Sequence, residues 1–186
     1  GDSIASLLNG IRKRVAVSPE TEITLEANPG AVDEAHFAAY FDAGVNRLSI
    51  GAQSFDARHL VRLGRIHGPG EIDAAVATAQ RAGFGRINVD LMHGLPDQTV
   101  DEALHDIERA LALGIDHLSW YQLTLESRTP FAANPPNLPD EDTLEEIERR
   151  GLERLAAAGL DRYEVSAYAR PGQASRHNLN YWRFGD

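Results

Sequence analysis

Glu26, Asn28, Gln53, Asp90 and His93 each stand at or just past the end of a short run in which apolar and polar residues alternate. Gln122, Glu126, Glu164 and Tyr168 continue the series further along the chain, and Arg65 follows the second run. Carboxylates brought from separate strands to one cavity suit the hydroxyl or ammonium groups of a polar ligand. Gln53 reads an amide or carboxylate, and Arg65 can clamp a carboxylate through two parallel hydrogen bonds. A purely structural alternative pairs Glu26 and Asp90 with Arg47, Arg65 or Arg86 in a buried network. That alternative suits any one residue equally well, but several independent pairings falling in one register favour a ligand for the whole row.

Seven histidines stand at 36, 59, 67, 93, 105, 117 and 177. None pair at the H-x-x-x-H spacing of a zinc hydrolase. His36, His59 and His105 fall on expected helices and read as solvated surface; His93 follows Asp90 and is within reach of a substrate there. His177 sits in Arg176-His177-Asn178-Leu179-Asn180-Tyr181-Trp182-Arg183-Phe184. Such a segment can coordinate a planar metallo-cofactor, stack on it and hold its carboxylates. The residues alone fit a packed loop with a satellite core better. Gly64–Gly70 opens a helix but matches neither a dinucleotide nor a nucleoside-triphosphate fingerprint.

Composition narrows the chemistry. The 186 residues carry 18 Lys+Arg against 28 Asp+Glu, a formal charge of −10 that argues against nucleic acid or an anionic membrane as partner. No run is long enough to span a membrane, and no signal peptide is evident, so a cytoplasmic location is expected. Cysteine is absent, which removes disulfides, thiol nucleophiles and thiolate-held metal or iron–sulfur centres from these residues. Lys13 is the only lysine, so Schiff-base chemistry has no candidate at a strand end.

The elements that must position these residues alternate. Helical spacing appears at Ile4, Leu7, Leu8 and Ile11, around Phe37–Phe41, at Ile72–Ala79, at Val100–Leu111 and from Asp140 to Leu155. Thr99 and Glu102 form a capping box before the fourth. Four of these helices end in a glycine followed by an apolar residue (Gly44-Val45, Gly83-Phe84, Gly114-Ile115, Gly159-Leu160), a stop signal followed by a return to the core. Five strands are expected at 22–27, 46–51, 86–91, 117–123 and 162–168, and helical crossovers between them imply parallel pairing. Their alternation leaves one sheet face polar, with Glu164, Ser166 and Tyr168 expected on it and Val165 and Ala167 opposite; the phase of 117–123 is ambiguous. A flat sheet covered on both faces would bury unpaired carboxylates at several kcal/mol each, so a wide β/α barrel with a ligand in its lumen is favoured. Five strands do not close a barrel, and the chain reads as the middle of a larger protein.

Four quoted segments now combine: Ile23–Gly30 (ITLEANPG), Leu48–Phe55 (LSIGAQSF), Leu63–His67 (LGRIH) and Val89–Pro96 (VDLMHGLP). In order and approximate spacing they resemble the radical S-adenosylmethionine (SAM) family, in the branch that contains oxygen-independent coproporphyrinogen III oxidase. His177–Trp182 (HNLNYW) is similar to the H-N-x-x-Y-W motif of the HemW-type heme chaperones in that branch. The resemblance implies an α/β partial (β/α)6 barrel incomplete at both ends, with residues 1–186 the central part of one domain. It implies SAM and a [4Fe–4S] cluster as cofactors, with Glu26, Gln53, Arg65 and Asp90 as SAM contacts. It also implies heme, with His177 as the associated histidine and candidate iron ligand, and Asn178, Tyr181 and Trp182 around it. Partners would be heme and the hemoproteins that accept it. The family's three-cysteine cluster loop and Gly-Gly-Thr-Pro strand end have no counterpart here and would lie before Gly1; the fragment alone is expected to be catalytically inactive.

Two rivals remain. In the oxidase, a 5′-deoxyadenosyl radical removes hydrogen from propionate side chains, which then decarboxylate; HNLNYW favours the chaperone instead. An unrelated barrel enzyme, an aldolase or metal hydrolase, lacks its strand-end lysine or paired histidines.

Overall fold

The computed structural model describes residues 1–29 and 34–185, so Gly30 of the expected turn after the first strand lies outside the described residues. Strands β1 (Thr24–Ala27), β2 (Arg47–Gln53), β3 (Ile87–His93) and β4 (His117–Gln122) pair in parallel, in sequence order. Helix α1 (Asp2–Arg12) precedes β1, α2 (Glu34–Ala43) leads to β2, α3 (Ala57–Arg62) and α4 (Pro69–Arg81) lead to β3, and α5 (Val100–Ala112) leads to β4. After β4 come α6 (Pro130–Ala133), α7 (Glu141–Ala157), the short strands β5 (Asp161–Arg162) and β6 (Ala167–Ala169), and α8 (Arg176–Trp182). The sheet order β1-β2-β3-β4-β6-β5 leaves two free edges. It is the α/β, mostly parallel partial barrel that alternation implied.

The core lies between one sheet face and the helices. Leu48, Ile50, Val89, Leu91, Leu118 and Trp120 meet Ile72, Val76 and Ala79 of α4, Leu104 and Ile107 of α5, and Ile147 and Leu155 of α7. Burying each large aliphatic chain contributes about 1.5–3 kcal/mol. Helix α5 begins as expected: Thr99 Oγ1 accepts from Glu102 N–H at 3.3 Å and Glu102 Oε2 accepts from Thr99 N–H at 2.9 Å. Gly83, after α4, holds φ 102° against the ring of Phe41, a left-handed backbone that a side chain would strain. In α7, Gly151 lets the indole of Trp120 approach the helix backbone; a Cβ there would overlap the ring.

Two expectations change. The strand expected at 162–168 is a hairpin: β6 runs antiparallel to both β4 and β5. The cause is local, since Glu164 Oε1 accepts from the Ser166 backbone N–H at 3.2 Å and turns the chain back before it can extend. Its faces change accordingly. Tyr168 is buried against Trp120, and Val165 is 62% exposed. His59 is not solvated surface but 2% exposed, because α3 turns it with Leu60 toward the start of α5, where its Nε2 lies 3.5 Å from Glu102.

Candidate functional site

The second sheet face is polar, and among the described residues α8 covers it at one end. Period-two alternation puts Thr24 and Glu26 of β1, Arg47 and Ser49 of β2, Asn88 and Asp90 of β3, and His117 and Ser119 of β4 along one cavity of about 900 Å³. Toward the C-terminal strand ends it continues into a second cavity of about 510 Å³, sharing Glu26, Ser49 and Asp90. Glu26, Gln53, Arg65 and Asp90 all line this upper cavity, with Asn28 and Tyr121.

Asp90 and Gln53 are held by neighbours. Asp90 accepts from Ser49 Oγ at 2.9 Å and from Asn88 Nδ2 at 2.7 Å. Neither Glu26 nor Asp90 makes an ion pair among the described residues, so the buried pairing with Arg47, Arg65 or Arg86 is absent there; Arg86 pairs instead with Glu22 at 2.6 Å. The register between β2 and β3 shifts between Ile50 and Gln53, and Gln53 adopts φ 69°. That irregularity aims Gln53 at the cavity, where Tyr121 O–H donates to its Oε1 at 2.9 Å and leaves the amide nitrogen to donate to a ligand. Burial raises the Tyr121 hydroxyl above its ordinary range, which keeps it a donor.

The lower end is closed by α8. Glu22 gathers it: the carboxylate accepts from Arg86, from the Arg176 N–H at 3.0 Å and from the His177 N–H at 3.4 Å. Hydrogen bonding to Arg176 and the Arg86 charge outweigh burial and hold Glu22 below the usual carboxylate range. His177 is exposed and lines the lower cavity with Asn178. Tyr181 and Trp182 do not line it: they are 72% and 49% exposed, and Trp182 Nε1 donates to Glu164 at 3.3 Å.

Between the ends runs a network that the sequence did not reveal. Asn88 spends its Nδ2 on Asp90 and Ser49, so its Oδ1 must accept; it receives His117 Nδ1–H at 2.6 Å and Ser119 Oγ–H at 3.1 Å. His117 Nε2 accepts from Tyr163 O–H at 2.7 Å, and the Tyr163 oxygen accepts from Asn178 Nδ2 and Ser175 N–H, each at 3.2 Å. Burial, with Arg47 and Arg86 nearby, pushes His117 down to about 3, so the imidazole is neutral and this tautomer is the one that satisfies both neighbours. The ambiguous phase of the fourth strand hid His117, Ser119 and Tyr121.

Other expected site residues stand elsewhere. Gln122 and Glu126 are not on the cavity, Glu164 is at the hairpin tip, and His93 points into the core against Trp120, ring centroids 4.2 Å apart.

Residues 2–110 match the Radical SAM superfamily. The chain is 53% identical over 186 residues to the heme chaperone HemW of Escherichia coli (strain K12), covering all of this chain and 49% of that protein. It is 51% identical over 185 residues to the heme chaperone HemW of Haemophilus influenzae, covering 48% of it. Similarity extends to the mitochondrial radical S-adenosyl methionine domain-containing protein 1 of Mus musculus, at 41% over 98% of this chain and 42% of that one. Among solved structures, coproporphyrinogen III oxidase from Escherichia coli, described as a radical SAM enzyme, superposes with TM-score 0.83 at 25% identity, over 98% of this chain and 42% of that one. The chain thus spans about half the length of the curated relatives it matches. With the profile, the whole-chain similarity and the barrel geometry in agreement, the chain belongs to the radical SAM superfamily.

Proposed function

We propose that this chain forms the SAM-facing wall and part of the heme seat of a HemW-like heme chaperone, which binds heme and passes it to hemoproteins. The observation that carries this reading is the convergence of Glu26, Gln53, Arg65 and Asp90 on one cavity, continuous with a second cavity lined by His177 and Asn178. The donor set fits SAM. Glu26 and Asp90 accept from hydroxyl or ammonium groups, while the Gln53 amide and the Arg65 guanidinium donate to a carboxylate or ring nitrogen. Bound SAM supplies a sulfonium that a reduced cluster can cleave. The cluster finds no thiolate among these 186 residues, and no step is derived through it.

The residues of this chain bind and orient. Ser49 and Asn88 fix the two Asp90 oxygens, Tyr121 fixes the face of the Gln53 amide, and Glu22 seats α8 so that His177 borders the cavity. The His177 imidazole would be the group that holds heme iron, with Asn178 beside it anchored to Tyr163. Tyr181 and Trp182, exposed beside it, offer rings to a planar ligand. No helix among the described residues is long and apolar enough to cross a membrane.

Titrating the protein with hemin tests the reading: a Soret band should grow to saturation, and His177→Ala should weaken it about tenfold or more. An unchanged titration removes His177 from the site. Turnover of coproporphyrinogen by cluster-reconstituted protein with SAM would assign the oxidase activity in place of the chaperone role.

A further inference from the structure

The long cavity is unevenly charged. Glu26 and Asp90 line both of its parts, Arg65 only the upper one, and Arg47, Arg176 and Glu22 only the lower one. Glu22 is already matched, by Arg86 at 2.6 Å and by backbone N–H groups of α8. Arg47 is not. It is 6% exposed, it lines the cavity, and its guanidinium makes no hydrogen bond or ion pair among the described residues. A guanidinium brings five donors in a fixed fork, and one that faces a cavity with no protein acceptor is free to take a ligand acceptor. Burial already pulls Arg47 below its ordinary range, only partly countered by Glu22. Glu22 and Asp90 act on Arg47 through space without pairing with it, Arg86 opposes them, and His117 on the same floor is neutral. Tyr163 carries its proton to His117 and is likewise uncharged.

We infer that Arg47 is the anchor of an anion subsite at the lower end of the cavity, taking a carboxylate of the ligand held there. Resting on the heme reading above, that carboxylate is a heme propionate. Its partner is the Arg47 fork at the floor, with Asn178 and His177 bordering the same space.

The test compares hemin with hemin dimethyl ester in the full protein, by Soret titration and with Arg47→Gln beside the wild type. The wild type should bind hemin about ten- to a hundredfold more tightly than the ester, and Arg47→Gln should lose that preference. Arg47→Gln strips no partner of a hydrogen bond, so its fold should survive; Arg47→Lys, which keeps the charge and loses the fork, should fall between the two. Equal binding of hemin and its ester by the wild type overturns the subsite and needs no variant. Equal hemin binding by wild type and Arg47→Gln overturns it too, with the heme reading intact. A weakened SAM affinity in Arg47→Gln would assign the guanidinium to the SAM carboxylate instead and overturn the propionate assignment. If hemin fails to bind the wild type at all, the heme reading falls, and succinate becomes the probe. Succinate should then raise the melting temperature of the wild type but not of Arg47→Gln, and no difference between them overturns the subsite.

Discussion

Tyr163 donates its hydroxyl to Nε2 of His117 at 2.7 Å, and through this bond α8 is tied to the polar floor of the barrel. The same oxygen accepts from Asn178 and Ser175, while His117 passes its own proton toward Asn88 and so to the neighbours of Asp90. Tyr163→Phe keeps the ring and leaves His117 Nε2, Asn178 Nδ2 and the Ser175 N–H without their partner. The expected cost is about 1–3 kcal/mol in urea denaturation, with faster proteolysis around residues 176–182. Unaltered cleavage there would show that the remaining contacts, those of Glu22 and Glu164 among them, hold α8 without the Tyr163 hydroxyl.

Acid should weaken the fold through two buried imidazoles. Burial lowers His93 from its ordinary 6.5 to about 4, and His117 goes to about 3. The unfolded chain therefore binds more protons than the folded one below about pH 6.5, so this stability is complete above that pH and drains away toward pH 3–4. Each histidine contributes a slope of about 1.4 kcal/mol per pH unit inside its window. His93→Phe should keep the stack on Trp120, remove one slope and relieve the unpartnered Nδ1. A variant with the same acid dependence as the wild type would place the effect elsewhere.

Asp106 runs the other way. It is 1% exposed and accepts from Phe55 N–H at 2.6 Å and Ser54 Oγ at 2.8 Å, yet burial, aided by Asp56 and Glu102, raises it to about 7. The folded state holds that proton more tightly, so the associated stability is full below about pH 3.8 and is lost as pH rises through 7. Asp106→Asn, which keeps an oxygen for Phe55, should gain on the wild type between about pH 4 and pH 7 in thermal melts and level off above that. A constant difference across that range would refute the raised value.

Gln53 separates side-chain from backbone effects. With φ 69°, Gln53→Gly should retain the turn and Gln53→Ala should be less stable than it by about 1 kcal/mol, while both lose the amide that faces the upper cavity. Equilibrium dialysis should show the same fall in SAM affinity for both. A fall in Gln53→Ala alone would mean that loop strain, and not the amide, is responsible.

Gly151→Ala should destabilise by about 1–3 kcal/mol through overpacking against the Trp120 ring. Trp120→Leu in the same chain should recover part of that loss; additive penalties would show that the two residues do not meet.

The first four strands were legible because each lies between a helix with a clear apolar stripe and a glycine stop, and because one face is polar. Glu26, Gln53 and Asp90 sit one side-chain period apart from core residues, which is why alternation alone placed them together. Arg65 follows the second strand in a segment without strand periodicity, so its chemistry suggested a clamp and the LGRIH motif tied it to SAM. The fifth strand was misread because Tyr163–Ala169 alternates well enough to pass for an extended run, while the Glu164–Ser166 hydrogen bond that turns it is a contact no periodicity reports. His117, Tyr163 and Arg47 escaped for a related reason. Their roles are defined by partners 29, 46 and more residues away, and a lone buried cation looks the same in sequence as a paired one.

The chain has two tryptophans, and their settings divide its optical signal. Trp120 is sealed at 2% exposure between His93 and the Gly151 notch of α7; Trp182 stands half in solvent on the helix that carries His177. The buried indole should emit at short wavelength and report helix docking and His93 protonation. The outer one should emit at long wavelength and be quenched first by any coloured ligand that arrives at α8. One fluorescence spectrum thus carries separate readings of the barrel core and of its lower mouth, with no label attached.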